Sequence, residues 1–103
     1  MSGTMRRLVS TFTSEETLEL SIATVDQSEP MDDEVLIRVE ASPINPADLG
    51  SMFGPADMAT AKAAGSSDNP KVAASVPAQQ RQAAAARVGK SVPLGIEGAG
   101  IVE

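Results

Sequence analysis

The sequence predicts a mainly β domain with short helices, an α+β fold, and three observations carry that expectation. Apolar and polar residues alternate over two stretches, residues 17–25 and 34–42, which is the period of half-buried strands. Polar or proline-containing turns bound both stretches. Helix signals, by contrast, are confined to an Asn-Pro-Ala-Asp start at residues 45–48 and to an alanine-rich region beyond residue 54.

At 103 residues the chain makes at most one small domain with a modest core. Phe12 and Phe53 are its only aromatic residues, so burial rests on aliphatic side chains. It has no cysteine and no histidine, which removes disulfides, thiol nucleophiles, imidazole bases and the commonest zinc ligands together. The remaining carboxylates show no clustered metal-ligand spacing. The net charge of −6 is uneven: ten acids face three arginines up to Gly54, and four acids face five bases after it. An acidic first half argues against nucleic acid or an anionic membrane as partner. No apolar run approaches a membrane span, and the N-terminus lacks the apolar core of a signal peptide, so a cytoplasmic protein is expected.

In chain order, residues 5–12 are short and partly β-branched, and read as a strand. Leu18, Leu20 and Ile22 alternate with Thr17, Glu19 and Ser21, giving a second strand with one wet face. An acidic loop with Pro30 leads to the third strand, residues 34–42, where Val35, Ile37, Val39 and Ala41 share a face. Three strands with tight connectors suggest an antiparallel meander. Asn45 then serves as N-cap, Pro46 as first helical residue and Asp48 as the acid that meets free amides, for a helix to about Met52 folded across one end. Such a start usually only caps. It also gathers the Asn45 side chain and the first helical N–H groups at one place, where a polar ligand can sit.

Twelve alanines lie between Ala56 and Ala86. Residues 56–64 read as a short helix, and residues 78–87 as a better one, after Pro77 and before Gly89. Neither has a broad apolar face, so each needs a surface to dock on. Residues 55–92 are therefore expected to be an inserted, Ala-rich helical arm. The last residues look like a strand beginning, and a chain ending there is expected to be cut short. Gly98-Ala99-Gly100 offers half of a dinucleotide fingerprint, but Glu103 stands where the third glycine belongs and Ile101-Val102 favours a strand.

Two segments together, residues 34–48 and Pro93-Leu-Gly-Ile-Glu-Gly-Ala-Gly-Ile-Val-Glu103, resemble the N-terminal GroES-like β-barrel domain of the medium-chain dehydrogenase/reductase superfamily. The resemblance covers about half the chain and omits the alanine-rich arm. It implies a partial barrel in which residues 1–54 are the first part, residues 55–92 an insertion, and residues 93–103 the return to the barrel. Zinc-dependent members carry a cysteine where Asn45 sits and a histidine where Ile96 precedes Glu97. An amide and an isoleucine cannot replace those ligands, so no metal is expected.

The Asn-Pro-x-Asp form is similar instead to the zinc-independent branch, the quinone oxidoreductases and 2-enoyl thioester reductases. Asp48-Leu49 with Gly54 leans toward the latter. The resemblance implies hydride transfer from NADPH or NADH to a small-molecule acceptor, a quinone or a conjugated enone or enoyl thioester. It places Asn45 beside the nicotinamide and Ile44 and Met52 on the substrate pocket wall. No catalytic residue is assigned; where many quinone reductases carry a tyrosine, this chain has Gly50. The Rossmann domain that the resemblance leads one to expect is missing, so this fragment is expected to be inactive alone. The arm could lid the cleft or contact a second subunit in a homodimer. The alternative is a freestanding GroES-like binding or scaffold module with no catalytic activity.

Overall fold

A computed structural model describes residues 3–103. Its strands are β1 (Thr4–Ser14), β2 (Thr17–Asp26), β3 (Ile37–Ala41), β4 (Asp57–Gly65), β5 (Pro70–Ser75), β6 (Ser91–Pro93) and β7 (Ala99–Val102). Its helices are α1 (Pro46–Phe53) and α2 (Arg81–Ala85), the latter entered through a 3-10 turn at Ala78–Gln80. The fold is mainly β, and every strand pairing is antiparallel. Five strands form one sheet in the order β4-β5-β2-β1-β6, and β3 and β7 form a separate two-stranded ribbon. Neither sheet closes into a barrel. Among the described residues no helix is long and apolar enough to cross a membrane.

β1 and β2 form where the alternation places them, as a hairpin turning at Glu15 and Glu16. The register sets Ser10 opposite Leu20 and Phe12 opposite Leu18, so these four side chains share one face. That face is the core side. Phe12, Leu18, Val76 and Ala84 form a buried cluster with Ala56 packed against it. Burial of one such large apolar side chain stabilises by about 1.5–3 kcal/mol. Ser10 is tolerated there because its hydroxyl donates to the Met52 carbonyl at 3.0 Å, which also ties α1 to β1.

The alanine-rich region departs from its sequence reading. Residues 56–64, expected as a helix, are mostly β4, paired with β5. β5 in turn pairs with β2, setting Ala74 opposite Leu18 and Val72 opposite Leu20. The physical reason is the open edge of β2. Its backbone groups need partners, whereas a short alanine helix satisfies only its own and buries little. Gly65 makes the turn possible: its φ is +76°, and a Cβ there would collide with the Asn69 carbonyl. Residues 78–87 keep a helical core after Pro77, but α2 is only five residues long. It docks through Ala84, whose small side chain lets the backbone close on Phe12. The expected helical insertion is thus largely an extension of the main sheet.

The expected three-stranded meander also fails at its third member. β3 leaves the main sheet and pairs with β7, and it begins at Ile37 rather than Glu34. β2 offers its open edge to β5, and β1 offers its own to β6, so no edge of the hairpin remains for β3. Thr11 and Ser91 exchange a hydroxyl hydrogen bond at 2.8 Å across the β1–β6 pairing. Gly100 is what lets β7 approach β3, since a Cβ there would run into the Arg38 carbonyl. Every residue of β3 and β7 is exposed.

Two substitutions separate the sheets energetically. Phe12→Ala should lower unfolding free energy by about 3–5 kcal/mol in urea titrations, a large share of the stability of so small a domain. Gly100→Ala should leave the main sheet folded by circular dichroism, while amide exchange accelerates across Ile37–Ala41 as the ribbon opens.

Candidate functional site

The start of α1 is built by its own first residues. Asn45 is extended, with φ −98° and ψ 159°, and Pro46 opens the helix behind it. The Asp48 carboxylate accepts from the Asn45 backbone N–H at 2.8 Å, and its own N–H donates to the Asn45 carbonyl at 2.9 Å. Asp48 is buried as a consequence, which makes it a structural cap. At the other end Gly54, with φ +47°, donates to the Gly50 carbonyl and stops the helix.

This local frame aims the Asn45 side chain away from the helix. Its amide nitrogen donates to Glu97 Oε1 at 2.9 Å, across a separation of 52 residues. A carboxylate only accepts, so the amide nitrogen is the atom that faces it. Glu97 comes from the loop between β6 and β7, held at one end by the Leu94 N–H bonded to the Leu8 carbonyl and at the other by the ribbon. Beside the pair, Ala41, Ser42, Pro43, Glu97, Gly98 and Ala99 line an open groove of about 430 Å³.

Two large apolar side chains adjoin the members of this pair in sequence. Ile44 precedes Asn45 and Ile96 precedes Glu97, and each is 72% exposed. Met52 lies two turns along α1, at the end held by Ser10, so the structure does not bring it to Asn45. A smaller cavity of about 170 Å³ opens at that end, lined among others by Phe12, Ser51 and Arg87. The Arg87 guanidinium stands 5.0 Å from the centre of the Phe12 ring.

The rim of the Asn45 groove can donate, accept and contact apolar surface, but no side chain on it is paired as nucleophile and base. Glu97 was visible in the sequence only as part of a glycine-rich motif; nothing in its spacing disclosed that it would meet Asn45. Arg87 gave no signal at all, since its partner Phe12 is remote in sequence. Comparison of the chain with models of known protein families and with curated proteins finds no match.

The Asn45–Glu97 bond can be isolated by a double-mutant cycle. Asn45→Ala should destabilise by about 1 kcal/mol, through the lost contact with Glu97 and a poorer N-cap residue, while the Asp48 bond to the backbone N–H of residue 45 remains. Glu97→Ala should cost less, and coupling between the two should be about 0.5–1.5 kcal/mol from chemical denaturation.

Proposed function

We propose that the chain is the substrate-side, GroES-like domain of an NAD(P)H-dependent, zinc-independent oxidoreductase that reduces quinones or conjugated enones and enoyl thioesters. The single observation that carries this reading is the hydrogen bond between Asn45 and Glu97. Each belongs to one of the two segments that resemble the medium-chain dehydrogenase/reductase domain, and the two segments meet at one groove.

The residues present fit the nicotinamide end of such a cofactor. A nicotinamide ring is flat and apolar on its faces and carries a carboxamide on its edge. Ile44 and Ile96, exposed and next in sequence to the two members of the pair, are the apolar groups we assign to the faces, and the Asn45–Glu97 pair offers a polar edge to that carboxamide. When bound, the cofactor supplies the hydride; Asn45 orients the ring, with Glu97 fixing the rotamer of Asn45. Ile44 forms part of the wall for an apolar acceptor. The pyrophosphate end is left to a nucleotide-binding domain, because Gly100 serves the β3–β7 ribbon and a strand, not a helix, follows Gly98.

Reduced nicotinamide mononucleotide is a probe that the isolated chain can be tested with by NMR titration. The expected result is millimolar binding, with chemical-shift changes at the Asn45 side-chain amide, Ser42 and Gly98 that Asn45→Ala abolishes. Changes confined to Arg6 and Arg7, as a phosphate alone would give, or no change near saturation, would overturn the reading.

A further inference from the structure

The free edges of the two sheets are not equivalent. β6 is three residues long and ends on Pro93, which has no N–H to offer an incoming strand. β4 carries Lys62, and its pairing with β5 is interrupted from Asp57 to Lys62, so it offers no continuous ladder to an incoming strand; β3 has one register shift, between Val39 and Ala41. Among the described residues β3 pairs only with β7, so its other edge has no strand partner. Its sequence, Ile37-Arg-Val-Glu-Ala41, has a symmetry that the other edges lack.

Set antiparallel to a second copy about Val39, β3 complements itself. Arg38 falls opposite Glu40 of the other copy, and Glu40 opposite its Arg38. Val39 meets Val39, and Ile37 meets Ala41. Within one chain Arg38 and Glu40 already touch at 3.3 Å, so both lie on one face of the strand. Pairing would therefore build a quartet of alternating charges on that face and bring Ile37, Val39 and Ala41 of the two copies together on the other, with the register shift at Glu40 beside the axis. Ile37 and Val39 are 48% and 62% exposed in the single chain, and a two-stranded ribbon open on both faces is marginal in water.

We infer that the chain self-associates through β3, forming a four-stranded sheet in the order β7-β3-β3-β7 about a two-fold axis. The occupant of the edge is a second copy of this chain, chosen by charge complementarity. Five paired residues make a contact smaller than a standard interface, so the dimer is weak, with Kd of about 10–100 μM. The inference does not rest on the hydride-transfer reading and survives its failure.

The chain has no cysteine, which permits a register-specific test. Val39→Cys should give a disulfide-linked dimer under mild oxidation, because the two-fold axis brings that position opposite itself within bonding range. Ala41→Cys alone should not, whereas a mixture of Ile37→Cys and Ala41→Cys chains should. In sedimentation equilibrium, Arg38→Glu should weaken dimerisation at least about tenfold, and Arg38→Glu/Glu40→Arg should restore it to within about threefold of the unaltered chain. If Arg38→Glu unfolds the ribbon, Val39→Lys, which sets two ammonium groups together at the axis, takes its place with the same expected loss. A monomer at near-millimolar concentration, equal self-linking at positions 39 and 41, or association indifferent to charge reversal and to Val39→Lys would each overturn the inference.

Discussion

Covering Phe12 is the constraint from which the rest of the architecture follows. The chain has two aromatic residues, and Phe12 is the one that sits at the centre of the buried cluster. A hairpin alone leaves one face of that ring in water. Val76 closes it from the segment after β5, Ala84 from α2, and Leu18 from the facing strand. Arg87 lies over the ring from the end of α2, and Phe12 even bridges directly to Val88. The alanine-rich region is thus fastened to the hairpin at both of its ends by one side chain. Because alanine contributes little area itself, the chain depends on this large residue being reached from several directions.

The ribbon obeys a different rule. It holds no buried side chain and is secured by backbone pairing, by Gly100 and by exposed ion pairs from Arg38 to Glu40 and Glu103. Exposed pairs of that kind contribute about 0–1 kcal/mol each, so the ribbon is held far less firmly than the main sheet. The candidate site lies where these two regimes meet. Asn45 is fixed by the capped helix that Ser10 anchors to β1, and Glu97 is carried by the loop entering β7. A candidate site with one firm wall and one yielding wall would admit a ligand without disturbing the core. The same weakness leaves the outer edge of β3 available for a second chain.

Local chemistry was legible in the sequence wherever its causes lie within a few residues. The β1–β2 hairpin follows from alternation on either side of a polar turn, and α1 follows from Asn45, Pro46 and Asp48. Asn45 could be singled out as a capping residue with an outward side chain, though its partner could not. The identity of β4 was not legible, because alanine has no branched or bulky group to prefer a pleated face over a helical one. What decided it was the edge of β5, itself laid against the open edge of β2; the Ser75 N–H bond to the Thr60 hydroxyl, fifteen residues apart, fastens β4 to that edge.

Sequence alone, then, determined the elements that satisfy themselves: a hairpin with a wet face and a buried face, a capped helix, and a chain with too few donor atoms of the right kind for a thiolate or imidazole metal site. Tertiary structure decided which edges pair, that β3 would leave the hairpin for β7, and that Asn45 would meet Glu97. The division has one cause. Caps and turns are settled by neighbours whose positions are fixed by covalent geometry, whereas strand edges and exposed side chains take whatever partner the remainder of the fold delivers to them.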